Sequence, residues 1–568
     1  MDILCNSAMV TCDTWFVCGS EHCRMNNSEE VHSKPRSLRL RWMYSDVVES
    51  LGFSAVIVCA FLLTQWRYGF DWSDEGWLWY VSQRTALGQI PLRDFFSYDP
   101  GRYYWSAMFF KILGGNGLFE QIVANDAFAF LGLVVAYLAM SRSGLGRGWR
   151  IAILLLLGIM FGYPRHKIYE QSLSLVAAAC IAVLLARPAR MRLWFFYGVA
   201  SGLAAFIGRN SGLYFVVAAL LTLLALQITG WKVPAGRALG SLLAGIVIGY
   251  LPMFCMLAFV SGFAWAFYQS VLFTPHWQLP LPIPWPWRVD VKSLHGANLV
   301  YAEAVGILCL AVPVSYCGVL LEWLRSKGKV VGARRLACAA AIAGIPYLHH
   351  AFSRAGFPHI AQGILPFGVA IGAFCEFYWM VHRRRLALAV FVPVTGLLLA
   401  CWIPREPFVQ FLRTKTIGPH RAEEMQIGGK TFEVAWPEAE ILHATEGEFR
   451  RCRAGDGRLL AAPYYPGIYA FIGTRAPFWE LYYLYPRSVE FQHRHIEALE
   501  KNGTAIVIWN REVMIDGLSR LQIGNTNPEL AEYLHSHYRP SEIRLPEGFE
   551  IRDLPQDCLG PAHESNSK

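Results

Sequence analysis

Apolar runs long enough to cross a lipid bilayer recur along the first 403 residues of the chain. A hydrocarbon core of about 30 Å needs roughly 20 apolar residues of helix. Apolar residues make up 54% of the 568-residue sequence and charged residues 16%, so a disordered chain, a coiled coil and an ordinary cytosolic enzyme are excluded. We predict a polytopic α-helical membrane protein with about eleven spans, at 47–66, 121–140, 150–163, 168–186, 193–208, 213–230, 239–260, 299–321, 336–348, 360–381 and 386–403.

Basic residues concentrate in every second connection between these spans, which fixes the predicted orientation. Cytoplasmic loops carry the excess of Lys and Arg, so the N-terminus is placed inside and, after an odd number of spans, the tail outside. Residues 1–44 are expected to be a disordered cytoplasmic leader. The net charge of the chain is +9. Because the sequence has no pattern of basic and aromatic residues typical of nucleic-acid binding, we expect the positive charge to face membrane lipid. The basic clusters lie at 34–41, 142–150, 187–192, 232–237, 325–335 and 383–385.

The tail at 404–568 mixes short strand-like runs with helix-like ones and is predicted to be a small extracytoplasmic α/β domain. Strands are expected at 459–462 and 505–509, and helices at 488–501 and 528–537. Cys452 and Cys558 could form one disulfide if the tail lies outside the cytoplasm. Tail aromatics such as Tyr482 could bind sugar rings or pack the domain onto the membrane module, and packing is favoured.

The first outer loop, 67–120, carries the strongest chemical signal in the sequence. Asp74 and Glu75 follow a membrane exit, beside Trp72 and Trp77. Carboxylates held at headgroup depth lose solvation, which raises their pKa and suits a general base that takes a proton from a hydroxyl. The residue types alone leave open a second interpretation, in which the two acids cap short interfacial helices.

Four short patterns in this loop together resemble a known family. They are Asp74-Glu75, a Gly-x-x-Pro turn at 88–91, an aromatic stretch at 100–105, and Leu113-Gly114. This order resembles the first extracytoplasmic loop of the GT-C glycosyltransferases that use polyprenyl-phosphate-linked sugars. That superfamily includes protein O-mannosyltransferases, the lipid A aminoarabinose transferase and rhizobial lipopolysaccharide core glycosyltransferases. Many relatives carry Lys-Pro-Pro where this chain has Asp-Pro-Gly before Arg102, so Arg102 is expected to replace that lysine.

The resemblance implies a GT-C fold at 45–403, an enzyme in the bacterial inner membrane and an inverting sugar transfer. The donor would be a polyprenyl-phosphate-linked sugar, and the acceptor a lipopolysaccharide, polysaccharide or protein of the cell envelope. Asp74 would be the general base, paired with Glu75. A leaving phosphate needs cations, although outer Arg and Lys could also merely anchor helix ends. The phosphate candidates are Arg102, Arg165, Lys167, Arg209 and Arg354, and the further substrate candidates are Asp94, Asp99, His166, His349 and His359.

The histidines also raise the question of a metal. His349, His350 and His359 show neither HxxxH nor HExxH spacing, so we expect no obligatory cofactor, with a divalent ion as the open alternative.

Two other function classes would give different sequence patterns. A transporter or flippase of a lipid-linked saccharide would place polar groups within the spans, and an O-antigen polymerase or ligase would carry its large loop late in the chain. Here the polar groups cluster in outer loops and the richest loop comes first.

Overall fold

The computed structural model describes residues 36–273, 295–353, 356–417, 422–452, 454–514, 518–554 and 558, with the backbone alone at 36–44 and 297. Most of the predicted leader and the candidate Arg354 lie outside these residues. The chain divides into two compact units, Met1–Glu49 and Ser50–Lys568. The described part of the first unit is the beginning of one helix, Arg36–Gln65. All the other helices and strands belong to the second unit.

Each predicted span coincides with a helix or a bent pair of helices. Within the described residues, seven helices are long and apolar enough to cross a membrane, and two bent pairs bring the number to nine. The other two predicted spans are helices of 15 and 17 residues. The single helices are α1 (Arg36–Gln65), α4 (Leu118–Arg142), α5 (Arg147–Phe161), α6 (Ile168–Ala186), α7 (Met191–Ile207), α8 (Arg209–Ile228), α12 (Ala297–Arg325), α13 (Gly332–Ser353) and α16 (Arg384–Trp402).

The two bent pairs each have a proline at the start of the second helix. The pair α9 (Ala235–Gly249) and α10 (Leu251–Phe259) bends by 51°, and the pair α14 (Phe357–Gly363) and α15 (Leu365–Met380) bends by 58°. Pro252 and Pro366 occupy the first turn of α10 and α15. Proline has no N–H to continue the hydrogen-bond ladder of the preceding helix, so the apolar run continues while the helix axis turns.

Shorter elements build the outer loops and the tail. Two helices lie in the first outer loop, one follows α10, and the tail holds the remaining helices and all the strands of the described chain. These elements are α2 (Asp74–Ala86), α3 (Gly101–Leu113), α11 (Phe263–Phe273), α17 (Pro407–Ile417), β1 (Glu423–Ile427), β2 (Lys430–Val434), α18 (Trp436–Arg451), β3 (Leu459–Ala462), α19 (Pro466–Ile472), α20 (Val489–Lys501), β4 (Ile506–Trp509), α21 (Ile523–Thr526), α22 (Pro528–His537), β5 (Arg539–Pro540) and β6 (Glu550–Asp553).

The tail contains the predicted α/β arrangement. Its four-stranded sheet has the order β3-β4-β6-β5, with β3 and β4 parallel and Leu459 opposite Ile506. All residues of β3 and β4 are buried, which is why both read as short continuous apolar runs. The strand–helix–strand prediction is therefore confirmed, with α20 as the crossover helix. Cys452 and Cys558 are joined by a disulfide that closes a separation of 106 residues.

The tail packs directly on the first outer loop. A Cβ on Gly76 of α2 would lie 2.5 Å from the Cα of Gly467 in α19, so only glycine permits this approach of the two backbones. The Gly467 N–H donates to the Trp72 carbonyl at 2.9 Å. The Phe96 N–H donates to the Trp479 carbonyl at 2.8 Å. Tail aromatics also pack on this loop, with the ring centroids of Tyr482 and Trp77 5.1 Å apart.

Candidate active site

Two cavities lie on either side of the short 3-10 turn Arg165–Lys167 that precedes α6. The first, the acidic cavity, has a volume of about 410 Å³. The second, the basic cavity, has a volume of about 210 Å³. Charged residues of the acidic cavity are Asp71, Asp74, Glu75, Arg165, Arg405, Glu433 and Glu438, and His166 lines it as well. Charged or titratable residues of the basic cavity are Asp99, Arg102, Lys167, Glu170, Arg209, His349, His350 and His359.

Asp74 is the first residue of α2 and lines the acidic cavity. Its Oδ1 accepts a hydrogen bond of 3.0 Å from the Tyr482 hydroxyl. Its Oδ2 lies 3.5 Å from Nε2 of His166. The side chain remains 46% exposed, so the carboxylate is anchored on one side and open to the cavity. A general base needs this combination of fixed orientation and access to a substrate hydroxyl.

Glu75, the next residue, has a different environment. Its side chain is 3% exposed and its Oε2 accepts a 2.8 Å hydrogen bond from the Arg165 guanidinium. Arg165 also donates to the Gly69 carbonyl at 3.3 Å. The buried pair links the start of α2 to the turn before α6, and it therefore sets the position of Asp74 relative to His166.

Asp71 is the third carboxylate at this end of α2. Its Oδ1 accepts a 2.9 Å hydrogen bond from the Ser73 N–H. Asp71 is exposed at the cavity, but the protein around it desolvates the carboxylate in part and the neighbouring Asp74 repels its charge, so the pKa of Asp71 rises to about 6. The raised pKa predicted from the sequence concerned Asp74 and Glu75 and stays a prediction for those two residues.

The basic cavity begins at the buried ion pair of Arg102 with Glu170. Arg102 lies 3.0 Å from the Glu170 carboxylate, and both side chains are less than 10% exposed. Its Nε donates to the Ile207 carbonyl at 2.9 Å. The guanidinium carbon lies 5.6 Å from the ring centroids of Tyr98 and Tyr169. Arg102 thus has a fixed position at the cavity wall, where we expected a cation from the sequence.

Arg209 and Lys167 complete the cationic wall. The backbone N–H of Arg209 donates to Asp99 at 2.7 Å, and its Nε donates to the same carboxylate at 3.0 Å. Lys167 lies 5.9 Å above the ring of Tyr98. Among the described residues no carboxylate forms a salt bridge with Lys167, so its charge is the least neutralised in this cavity.

The remaining candidates divide between this site and other places. His349 shares a 2.8 Å hydrogen bond with the Tyr214 hydroxyl and lines the basic cavity with His359. Asp94 lies elsewhere, in an ion pair of 2.7 Å with Arg93, beside a third cavity. Within the described chain, the cluster of possible metal ligands is Cys452, Asp553 and Cys558, and both of its thiols are consumed by the disulfide.

Tyr482 and Glu170 each contact a predicted site residue, and the sequence did not predict either contact. Tyr482 lies 408 positions from the carboxylate that it contacts, and no local pattern relates the two. Glu170 carries a weaker signal, because it lies three residues after Lys167 at the start of a helix and thus on the same face. An acid inside a predicted span usually has a partner, and here the partner is Arg102.

No family model matches the sequence, and no curated protein does. In structure the chain is similar to ArnT from Cupriavidus metallidurans bound to undecaprenyl phosphate, with 12% identity and a TM-score of 0.46. It is also similar to the apo state of ArnT from that organism, with 13% identity and a TM-score of 0.48. Each alignment covers 91% of this chain and 99% of ArnT.

Proposed function

We propose that the chain is an integral-membrane glycosyltransferase that moves a sugar from a polyprenyl-phosphate donor to a hydroxyl of a cell-envelope acceptor. One observation carries the proposal. Asp74 lines the cavity on one side of the turn Arg165–Lys167, and Lys167, Arg102 and Arg209 line the cavity on the other side. A base and a cation cluster for a phosphate leaving group are the two requirements of such a transfer.

In the proposed reaction the acceptor binds in the acidic cavity and the donor phosphate in the basic cavity. The acceptor oxygen attacks the anomeric carbon and forms the new glycosidic bond, while its proton passes to Asp74. The bond between the anomeric carbon and the phosphate oxygen breaks, and both of its electrons leave with the polyprenyl phosphate. Attack and departure on opposite faces of the carbon invert its configuration. Lys167 and Arg209 stabilise the charge that develops on the departing phosphate.

The reaction is assigned to the extracytoplasmic face of the bacterial inner membrane. The distribution of basic residues between the spans supports this orientation. The disulfide of Cys452 with Cys558 supports it as well, because disulfides persist in oxidising compartments. The acceptor class is a lipopolysaccharide, a polysaccharide or a protein, and no cofactor is required for the steps above.

Deletion of the gene is expected to remove one sugar from one surface glycan, and the wild-type gene is expected to restore it. Mass spectrometry of lipopolysaccharide, other surface polysaccharides and envelope glycoproteins is the measurement, and it names both sugar and acceptor. Unchanged glycans in the deletion strain, together with movement of a labelled lipid-linked saccharide across proteoliposomes, would favour a transporter instead.

Replacing Lys167 with methionine is expected to weaken donor binding. A charge-assisted contact with phosphate is lost while the length of the side chain is kept, so the KM for the donor should rise about tenfold. Steady-state kinetics of the purified protein with the donor identified above is the measurement. Lys111→Met is the matched control, because Lys111 is exposed near the end of α3. An equal KM in both variants would argue against a phosphate in the basic cavity.

A further inference from the structure

The hydrogen bond from Tyr482 to Asp74 joins the tail to the proposed catalytic carboxylate. The two oxygens are 3.0 Å apart. The ring of Tyr482 is buried, with its centroid 5.1 Å from that of Trp77 and 6.1 Å from that of Phe96. Burial raises the pKa of Tyr482 well above its ordinary value, so the hydroxyl stays protonated and donates a hydrogen bond to the carboxylate.

The backbone around Tyr482 is held by a buried ion pair. Glu480 is fully buried and pairs with Arg487, whose Nε donates to the Glu480 carboxylate at 2.9 Å. The other oxygen of Glu480 accepts the backbone N–H groups of Leu481 and Tyr482, each at 3.1 Å. The Glu480 carboxylate therefore holds the backbone N–H of Tyr482, the residue whose side chain reaches Asp74.

Contacts to the first outer loop fix the same segment from the other side. The Trp479 indole N–H donates to the Leu92 carbonyl at 2.9 Å. The Ala476 N–H donates to the Tyr80 hydroxyl at 2.7 Å. Together with the close approach of Gly76 and Gly467, these contacts define where the Tyr482 hydroxyl lies relative to α2.

We propose that Tyr482 is a positioning residue for the general base: its hydroxyl holds Oδ1 of Asp74, while Oδ2, which lies 3.5 Å from Nε2 of His166, takes the proton from the acceptor. The inference rests on the proposed function and makes the tail part of the reaction's machinery. A hydroxyl that donates to a carboxylate favours the ionised form. Tyr482 therefore keeps Asp74 in the form that accepts a proton, and it limits rotation of the carboxylate away from the cavity.

The test is Tyr482→Phe in the full-length protein, which removes one oxygen and keeps the ring contacts. Without the donor, the carboxylate loses a hydrogen bond that favours its ionised form, so Asp74 should take up a proton at a higher pH. The probe is a water-soluble carbodiimide with an amine, followed by mass spectrometry of the peptide that contains Asp74. The midpoint of labelling against pH should shift upward in the variant. The acid limb of the pH–rate profile should shift the same way, because the base acts only when ionised, and the rate at low pH should fall about tenfold.

Tyr465→Phe is the matched control. Tyr465 is also buried in the tail and packs on Trp72 and Phe549, and its hydroxyl has no hydrogen bond within the described residues. The control should keep the wild-type midpoint, and a midpoint in Tyr482→Phe equal to that of the control would overturn the inference. Carbodiimide labelling does not require turnover, so this result is separate from a failure of the proposed function, which would appear as an unchanged surface glycan in the deletion strain.

Discussion

Replacing Asp74 with asparagine is expected to reduce sugar transfer by about 10²–10⁴-fold, the usual contribution of a general base. The amide has the shape of the carboxylate, and its oxygen can still accept the hydrogen bond that Tyr482 donates to Oδ1. What is lost is the ability to take a proton at Oδ2, which lies 3.5 Å from His166. Donor binding should change little, because the proposed phosphate contacts lie in the other cavity.

The measurement is the amount of the missing sugar restored in the deletion strain, followed by kcat and KM with purified protein. Asp456→Asn is the control, since Asp456 lies on the surface of the tail with its side chain 58% exposed, near Arg475. The control should restore the glycan fully. Wild-type kcat in Asp74→Asn would assign the base to another residue of the acidic cavity, with Asp71 as the first to test.

Glu75 should respond differently from its neighbour. Its oxygen already accepts a hydrogen bond from Arg165 inside a buried pair, so its substitution would act through the position of α2. Sequence reasoning treats Asp74-Glu75 as one catalytic pair. The helix that begins at Asp74 turns successive side chains by about 100°, and this rotation leaves Asp74 exposed to the cavity while Glu75 is buried in the cavity wall against Arg165.

The spans could be read from the sequence because apolar runs of bilayer length have few alternatives to a helix. The bends could not, since Pro252 and Pro366 lie within runs that are apolar on both sides. The strands 459–462 and 506–509 were predicted closely, because a strand buried on both faces is a short apolar run. Their parallel pairing follows from the helix between them.

The site was predicted as a set of outer-loop residues; those that the structure describes line two cavities, except Asp94, which lies beside a third. His166 and Lys167 are adjacent in sequence, yet they line different cavities because the 3-10 turn rotates one past the other. Asp99 and Arg209 are 110 residues apart, and the backbone N–H and the Nε of Arg209 both donate to the Asp99 carboxylate. Pairings of this kind depend on how the helices pack, which hydropathy and loop charge do not encode.

The ion pair of Arg102 with Glu170 yields the largest expected effect on stability. Its atoms are 3.0 Å apart and both side chains are nearly inaccessible. In Arg102→Met the Glu170 charge remains buried without its partner, and breaking such a pair typically costs about 3–5 kcal/mol. One oxygen of Glu170 already has no hydrogen bond within the described chain, and Lys167 is the cation that remains to act on its charge.

A double-mutant cycle separates the pair from the packing of Arg102. Arg102→Met with Glu170→Gln removes both charges, so the double variant should be more stable than Arg102→Met alone. Thermal unfolding of the purified protein in one detergent is the measurement. Arg450→Met is the control, because Arg450 and Glu446 form an exposed pair four residues apart whose loss should cost less than about 1 kcal/mol. Equal melting temperatures for Arg102→Met and the control would mean that water solvates Glu170 in the basic cavity. The cavity would then be far more open to solvent than the contacts of Arg102 with the rings of Tyr98 and Tyr169 indicate.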